Sequence, residues 1–402
     1  MALEIIGDAL RVTIAAGLLL AGILVILIWI KDRTARVSSL RLFIQIASVT
    51  LIFVGLLIGP FGLPQFPPVG NAPRDVLLGA NVLGTQFPDG ISVPVLACWY
   101  PSGRTVTCPI WQLQAYIFPF WNTGSGFGWN VFYTTTGLER LAIVFGLVII
   151  MAIVLGRFFC GWVCPFGLYM DLMIRVRKIF KKPHFNFSER TNVAVRQLRY
   201  VIIAVFLILS VIFGVQALYA VPGTERGGYV YSYFSAPFCQ VCPMKPLCVL
   251  VQGGLGFMDV GFVFGNTHGL LYEVGYYVTS LNVIVLVFIT IGALVVRRFW
   301  CRVCPLGGLT ALFSTFPPFK RIALTRLHKI EEKCTKCGVC KRVCPTQVTE
   351  VYEEKGGDVT VSGCMLCFRC VEMCPYEDTL KVKVAGKTVF KSRNWLAPSE
   401  SD

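Results

Sequence analysis

The chain has 402 residues, of which 55% are hydrophobic and only 15% are charged. This composition is too apolar for a soluble protein of this length, and it predicts a polytopic membrane protein. The formal net charge is +15, but the Lys and Arg residues are concentrated beside apolar runs, as in the cytoplasmic loops of membrane proteins. We therefore expect no nucleic-acid partner.

About five apolar runs are predicted to be transmembrane helices. They cover approximately residues 12–30, 42–59, 141–155, 200–216 and 281–296. The start of the chain, residues 1–10, has two acidic residues and no basic one, so the first run is expected to be a retained helix rather than a cleaved signal peptide. Basic residues follow the first, third and fifth runs, which predicts an external N-terminus and a cytoplasmic C-terminus.

A motif that occurs twice indicates two similar halves in the membrane part. Residues 157–168 read RFFCGWVCPFGL, and residues 298–309 read RFWCRVCPLGGL. A repeat of this kind indicates a duplicated unit, so we expect its four cysteines to meet at one membrane face. These cysteines are Cys160, Cys164, Cys301 and Cys304. A site of four thiolates suits an iron–sulfur cluster or zinc, and a dithiol redox pair or a metal-transfer site are the alternatives.

The C-terminal part contains two copies of the bacterial ferredoxin run, C-x2-C-x2-C-x3-C-P. In two-cluster ferredoxins the fourth cysteine of each run ligates the other cluster. The predicted ligands are therefore Cys334, Cys337, Cys340 and Cys374 for cluster 1, and Cys364, Cys367, Cys370 and Cys344 for cluster 2. Two zinc sites are the alternative, but zinc normally takes separated Cys or Cys/His pairs. Residues 351–361, between the runs, are predicted to form a small hairpin.

Five further cysteines lie in the predicted external loops. They are Cys98, Cys108, Cys239, Cys242 and Cys248. The last three are closely spaced, and one cysteine from the first loop would complete a further cluster; Cys108 is preferred because a proline follows it. Disulfides are the alternative in an oxidising compartment, and the odd number of cysteines fits neither interpretation cleanly.

Other redox groups have no matching motif in the sequence. The chain has three histidines, none of them inside a predicted span, and no Cys-x-x-Cys is followed by His, so neither a membrane haem nor a c-type haem is expected. A dinucleotide fingerprint, a phosphate loop and a nucleophile triad are also absent from the sequence. Iron–sulfur centres and a transient quinone are the expected electron carriers, and no catalytic residue is predicted.

The doubled motif, combined with the ferredoxin runs, resembles the membrane polyferredoxin family of NapH and MauN, to which the C-terminal part of NosR is similar. The resemblance covers approximately residues 40–375. It implies a quinol-linked 4Fe-4S electron-transfer protein that serves respiratory or maturation partners. The chain departs from the family in the shorter cysteine spacing of its second motif, in its first helix and in its five external cysteines.

The sequence thus predicts a polytopic α-helical membrane protein with a C-terminal α+β ferredoxin-like domain. The predicted parts are an additional N-terminal helix and basic turn (1–40), a four-helix membrane domain (41–310), and a cytoplasmic ferredoxin domain with its tail (311–402). The predicted cofactors are two [4Fe-4S] clusters, one or two further clusters and a transient quinone.

The predicted function is an electron relay between the quinone pool and another redox subunit, acting as a quinol dehydrogenase or quinone reductase within a complex. A copper-reducing or cofactor-maturation protein and a redox sensor are the alternatives.

Overall fold

The computed structural model describes eight stretches of the chain and three single residues. They are residues 36–50, 108–110, 113–114, 148–181, 183–219, 237–254, 278–315 and 323–393, with residues 96, 142 and 146. The predicted first helix, Cys98 and most of the first external loop lie outside the described residues.

The chain divides into two compact units. The first unit contains Met1–Ala15, Val49–Val148 and Tyr200–Thr290, and the second contains Ala16–Ser48, Ile149–Arg199 and Ile291–Asp402. The second unit therefore contains both copies of the duplicated motif and both ferredoxin runs.

Helices predominate before residue 316. They are α1 (Arg36–Thr50), α2 (Phe158–Trp162), α3 (Pro165–Ile179), α4 (Glu189–Tyr219), α5 (Pro237–Val241), α6 (Lys245–Gly254), α7 (Ser280–Val295), α8 (Trp300–Val303) and α9 (Pro305–Thr315). The prolines of the two motifs begin α3 and α9, where a missing N–H costs nothing. The cysteine before each proline has extended backbone, with ψ of 122° at Cys164 and 123° at Cys304, because proline excludes the helical region for its predecessor. Each Cys-Pro pair thus makes a corner between two helices.

Within the described residues, one helical segment is long and apolar enough to cross a membrane, Glu189–Ile212 in α4. Val37–Val49 and Ser280–Val295 are shorter apolar helices. The predicted spans at residues 200–216 and 281–296 therefore fall on α4 and α7, and the five-helix topology stays a prediction.

The C-terminal part is an antiparallel sheet with three short helices. The strands are β1 (Thr325–Lys329), β2 (Gly357–Asp358), β3 (Leu380–Val384) and β4 (Lys387–Lys391), in the order β2-β1-β3-β4. The helices are α10 (Val339–Val343), α11 (Glu350–Glu353) and α12 (Arg369–Glu372). Alternate residues of β1 and β3, such as Leu327, Leu380 and Val382, face a core that also contains Val348 and Val371. The C-terminal part therefore has the α+β fold that the sequence predicts.

The predicted hairpin at residues 351–361 is wrong. This segment contains the end of α11 and then β2, and β2 pairs with β1 through His328 and Asp358. Gly357 has a φ of 104°, which only glycine adopts easily, and it directs the chain towards a strand about 30 residues away in sequence. The chain does bend at Gly356, but the strand that follows pairs with β1 and not within the segment.

Candidate metal centres

The first ferredoxin set surrounds a cavity with its thiols. Cys334, Cys337, Cys340 and Cys374 all line it, together with Tyr352 and Tyr376. Cys337 is exposed to solvent, whereas Cys374 is buried in the hydrophobic core. The structure therefore brings together the four cysteines that the sequence predicts for cluster 1.

The second ferredoxin set lines a separate cavity. Cys344, Cys364, Cys367 and Cys370 surround it, with Cys340 of the first set on its rim. The other lining side chains are mainly apolar and include Leu327, Met365 and Phe368. These are the four cysteines that the sequence predicts for cluster 2, and the exchange of the fourth cysteine between the runs brings the two cavities side by side.

Left-handed residues shape both cysteine runs in the same way. Lys336 and Gly338 flank Cys337 with φ of 54° and 72°, and Leu366 and Phe368 flank Cys367 with φ of 49° and 56°. A left-handed conformation costs a non-glycine residue about 1–2 kcal/mol, so three of these four positions are strained. Repeated strain at matching positions indicates a functional constraint on the loops, here the wrapping of thiols around a common centre.

The electrostatics of the thiols fit a polynuclear iron site. Burial, together with the thiol of Cys367, raises the pKa of Cys364 to about 12, although the Leu366 N–H and the Arg157 charge oppose the shift. Burial and the thiols of Cys334, Cys337 and Cys374 likewise raise the pKa of Cys340 to about 11. Four converging thiols resist deprotonation unless cationic metal lies between them, and metal binding then releases their protons. Four cysteines around one cavity, at the ferredoxin spacing, are the donor set that a [4Fe-4S] cluster takes.

The two motif copies are joined by a reciprocal pair of arginines. Arg157 of the first copy donates from Nη2 to the carbonyl oxygen of Cys301 at 2.9 Å, and Arg298 of the second copy donates from Nη1 to the carbonyl oxygen of Cys160 at 3.0 Å. Each arginine thus contacts the first cysteine of the other copy. Such an exchange of equivalent contacts is typical of two units related by an approximate two-fold axis. The duplication seen in sequence is therefore a symmetric pair in space.

Two glycines make room for these arginines. A Cβ on Gly307 would lie 2.8 Å from Nη2 of Arg157, and one on Gly167 would lie 2.9 Å from the Cys160 carbonyl oxygen and 3.7 Å from Nη1 of Arg298. The glycine of each CP-x-G turn thus accommodates the arginine of the other copy.

Asp171 forms an ion pair with one of the two arginines, Arg298. Its carboxylate accepts a 2.8 Å hydrogen bond from Nε of Arg298 and a second bond from Nη2, and it also accepts bonds from Arg41 at 3.0 Å and Gln45 at 3.1 Å. Burial alone would raise the pKa of Asp171, but the charge and hydrogen bonds of Arg298, with those of Arg41, lower it to about 2. The carboxylate is therefore ionised at neutral pH.

The reciprocal packing places the four motif thiols within electrostatic range of one another. Burial raises the pKa of Cys304 well above its ordinary value, and the thiols of Cys160, Cys164 and Cys301 add to the shift. We call these four residues the motif thiols. The two motif copies thus lie side by side in the structure, while the convergence of their four thiols on one centre and the metal that they would bind stay predictions.

The loop that carries Cys364 and Cys367 packs directly on the first motif copy. A Cβ on Gly161 would lie 2.6 Å from the carbonyl oxygen of Met365 and 3.7 Å from the Cα of Cys367. The indole N–H of Trp162 donates to the Leu366 carbonyl at 2.8 Å. The thiol set of cluster 2 therefore lies against the helix that bears Cys160.

The second motif copy contacts the remaining ligand loop of the same set. Arg302, which follows Cys301, donates to the carbonyl of Pro345 at 3.3 Å and also bonds the side chain of Asn192. The Asn192 amide in turn donates to the carbonyl of Gln347 at 2.8 Å. Both motif copies thus hold the loops of the Cys344/Cys364/Cys367/Cys370 set.

A carboxylate of the second ferredoxin run caps α1. Glu372 accepts hydrogen bonds from the backbone N–H groups of Val37 and Ser38 at 3.0 Å and from the Ser38 hydroxyl at 2.6 Å. The N-terminal N–H groups of a helix otherwise lack partners, and a carboxylate there also complements the helix dipole. The start of α1 is therefore held by a residue between Cys370 and Cys374.

The external cysteines are described only in part. Cys108, Cys242 and Cys248 are buried, and Cys239 is half-buried. The amide of Asn282 donates to the carbonyl oxygens of Cys239 and Cys242 at 3.0 and 3.2 Å, and the N–H of Phe238 donates to Gln114 at 3.2 Å. A cluster or a disulfide at this place stays a prediction.

In the part of the chain that the structure describes, no group of three or more Cys, His, Asp or Glu side chains is arranged to hold one metal ion.

Two family models match the chain. A 4Fe-4S binding domain matches residues 137–183 and 280–322, and a 4Fe-4S dicluster domain matches residues 326–375. The first pair of ranges contains the two motif copies, and the second contains the two ferredoxin runs.

Curated relatives match about 60% of the chain. YccM of Escherichia coli is 24% identical over 62% of this chain and 58% of its own length, and NapH of Escherichia coli is 23% identical over 61% of this chain and 68% of its own. The resemblance to NapH-type ferredoxin proteins is therefore confirmed. An uncharacterized protein of Methanocaldococcus jannaschii is 28% identical over 60% of this chain and 78% of its own length. No solved structure matches the chain.

The NapH-type resemblance supports an iron–sulfur electron-transport protein with 4Fe-4S centres. Since the chain matches less than two thirds of YccM, the activity and partners of a whole relative do not transfer directly. Sequence reasoning missed the exchanged arginines, Asp171 and Glu372. The signal for the arginines was in the repeat itself, which begins with Arg in both copies, but it was interpreted only as cytoplasmic positive charge.

Proposed function

We propose that the protein is a multi-pass membrane iron–sulfur relay that passes electrons between the quinone pool and a redox subunit of a respiratory or maturation complex. The proposal rests above all on one observation. The reciprocal arginine pair joins the two motif copies, and the loops of the Cys344/Cys364/Cys367/Cys370 set lie directly on these copies.

Each cysteine set has a place in this proposal. Cluster 1 would be held by Cys334, Cys337, Cys340 and Cys374, and cluster 2 by Cys364, Cys367, Cys370 and Cys344. The motif thiols would hold a third centre. When bound, a cluster of this type supplies a site that takes up and releases one electron, at a potential set by its ligands and their hydrogen bonds.

The protein's own residues supply the surroundings of these centres. The N–H of Val348 donates to Sγ of Cys344 at 3.2 Å, and such bonds to ligand sulfur raise the potential of a cluster. Buried Val351 lies between the two ferredoxin cavities and lines both, which excludes water from the space between them. These residues favour electron exchange within the chain over reaction with solvent.

Exposed apolar helix faces support the membrane location. Val201, Val205, Ile208 and Ile212 of α4 recur every three or four residues, and each is more than 40% exposed. On α7, seven apolar side chains are similarly exposed: Leu281, Val283, Ile284, Val287, Phe288, Ile291 and Val295. Faces of this size are typical of contact with lipid or with partner helices. We therefore propose the five-helix topology with a cytoplasmic ferredoxin part.

The proposal includes a quinone because of the distance between the cysteines predicted on the two sides of the membrane. The hydrocarbon core of a membrane is about 30 Å thick, so the external and cytoplasmic cysteines would lie too far apart for direct electron exchange. A quinone, or a cofactor of a partner subunit, would bridge that gap.

The first experiment counts iron and sulfide per chain in anaerobically purified full-length protein and records its EPR spectra after reduction. We expect three clusters. The paired substitution Cys301→Ser and Cys304→Ser is expected to remove one cluster and leave two, whereas Cys334→Ser is expected to affect only a ferredoxin signal. Colourless, iron-free protein would contradict the relay, and a count of two that the motif substitutions leave unchanged would remove the third centre.

A second measurement tests the quinone. A reduced quinone analogue added to the oxidised protein in lipid vesicles is expected to bleach the iron–sulfur absorbance. No bleaching, in protein that dithionite reduces fully, would contradict quinol as the donor. Retention of cuprous ion at the motif thiols of iron-free protein, after loading with cupric ion, would favour copper handling instead.

A further inference from the structure

Arg157 is a buried cation that touches two cysteine sets at once. Its side chain is almost completely buried. Nη2 donates to the carbonyl of Cys301, while Nη1 donates to the carbonyls of Ser362 at 3.1 Å and Gly363 at 3.3 Å, directly before Cys364. One guanidinium thus bonds the backbone of the second motif copy and the backbone directly before Cys364.

This arginine has no carboxylate partner among the described residues. All of its hydrogen bonds go to backbone carbonyls, and its Nε has no acceptor. Its symmetry counterpart, Arg298, forms an ion pair with Asp171. Arg157 therefore keeps its full positive charge in a buried setting, where charges act more strongly than in water.

The repeat explains the difference. Asp171 follows Cys164 by seven residues, and the residue seven positions after Cys304 is Ala311, which is completely buried. The acid that neutralises one arginine has no equivalent in the second copy. A buried cation without a counter-ion is costly, so its presence calls for an anionic group nearby.

We propose that Arg157 is a positioning residue whose uncompensated charge raises the reduction potentials of the cluster held by Cys344/Cys364/Cys367/Cys370 and of the centre held by the motif thiols. Reduction adds one negative charge to a cluster, and a nearby cation stabilises the reduced form more than the oxidised form. The inference rests on the proposed function only in that these cysteines hold redox clusters.

The experiment is a redox titration of full-length protein in detergent, monitored by EPR, with two variants that alter the charge in different ways. Arg157→Gln removes the cation. Ala311→Asp keeps the arginine and places a carboxylate at the position equivalent to Asp171. Both are expected to lower the potentials of the same two centres and to leave that of the Cys334/Cys337/Cys340/Cys374 cluster nearly unchanged, whereas Arg157→Lys, which keeps the charge, is expected to retain most of the original potential.

Arg326→Gln is the matched control. Arg326 belongs to the same unit, but it pairs with Asp358 at the surface of β1, so the same loss of charge should leave all potentials unchanged. Unchanged potentials in Arg157→Gln and Ala311→Asp, or equal shifts in Arg326→Gln, would overturn the inference. So would an equal fall in Arg157→Lys, since geometry rather than charge would then be responsible.

The iron content of the unaltered protein distinguishes a failure of this inference from a failure of the proposed function. If the unaltered protein holds only the two ferredoxin clusters, the third centre is lost from the proposal, but the cluster at Cys364 still reports the effect of Arg157. If Arg157→Gln does not retain its clusters, Ala311→Asp and Arg157→Lys decide the question.

Discussion

The two motif copies begin with the same residues and end in the same turn, yet their arginines have different surroundings. Arg298 bonds Asp171 through two nitrogens, whereas Arg157 bonds only backbone carbonyls. The residue after the first cysteine also differs, because Gly161 allows the Cys364–Cys367 loop to approach and Arg302 reaches the Cys344–Pro345 turn. Both copies thus keep the arginine contact that joins the halves, but Arg298 is paired with a carboxylate, whereas Arg157 is a cation in contact with the ferredoxin part.

Asp171→Asn removes the carboxylate that pairs with Arg298, and it is expected to lower the free energy of unfolding more than any other substitution below. It leaves Arg298, which is completely buried, without its counter-ion and weakens the bond to Arg41. Removing one partner of a buried ion pair typically costs about 3–5 kcal/mol. The measurement is the free energy of unfolding in detergent, followed by circular dichroism. Asp358→Asn breaks a partly exposed pair with Arg326 and should cost less than about 1 kcal/mol. Equal losses in the two variants would contradict this role of Asp171.

Arg298→Lys and Arg157→Lys compare the two arginines directly. Lysine keeps the charge but cannot make the two-nitrogen contact with Asp171, so Arg298→Lys should cost about 2–3 kcal/mol. Arg157→Lys loses bonds to neutral carbonyls and should cost about 1–2 kcal/mol. Thermal unfolding of both variants, measured side by side, checks the order. A larger loss for Arg157→Lys would mean that the roles of the copies are reversed.

Gly167→Ala and Gly307→Ala are expected to show the smallest difference. A Cβ at residue 167 would press on the backbone oxygen of Cys160, which cannot move without shifting a helix, so we expect a loss of about 1–3 kcal/mol. At residue 307 the Cβ would meet Nη2 of Arg157 and displace it from the Cys301 carbonyl, so the loss should be about that of one hydrogen bond, about 1 kcal/mol. The same unfolding assay applies. Gly146→Ala, where a Cβ meets nothing within 4 Å, is the control.

The cysteine sets were predictable from sequence because their spacing is local and periodic. Three ligands of each ferredoxin set lie within seven residues, and the repeated run identifies the fourth. The contact between the two motif copies was also predictable, because the motif is repeated in the sequence. In contrast, the partners of Arg157 lie 144 and 205 residues away, and no local pattern connects them.

Some basic residues have partners that the sequence did not predict. Arg196 and Arg199 belong to the basic residues that follow the third apolar run. In the sequence these residues predict only the orientation of the chain in the membrane. In the structure Arg196 pairs with Glu350 at 3.0 Å, and Arg199 bonds the Ser362 carbonyl at 3.4 Å. The same charges thus also bind the ferredoxin part, which becomes visible only when the fold places both segments together.

The cap that Glu372 provides for α1 bears on biosynthesis. The start of α1 leaves the ribosome more than 300 residues before the carboxylate that holds it, and Cys374 of the first thiol set follows two residues later. Neither the beginning of α1 nor the pocket of the first thiol set can be completed before residues 372–374 have been synthesised, so we expect iron delivery to this set to follow the synthesis of its last cysteine.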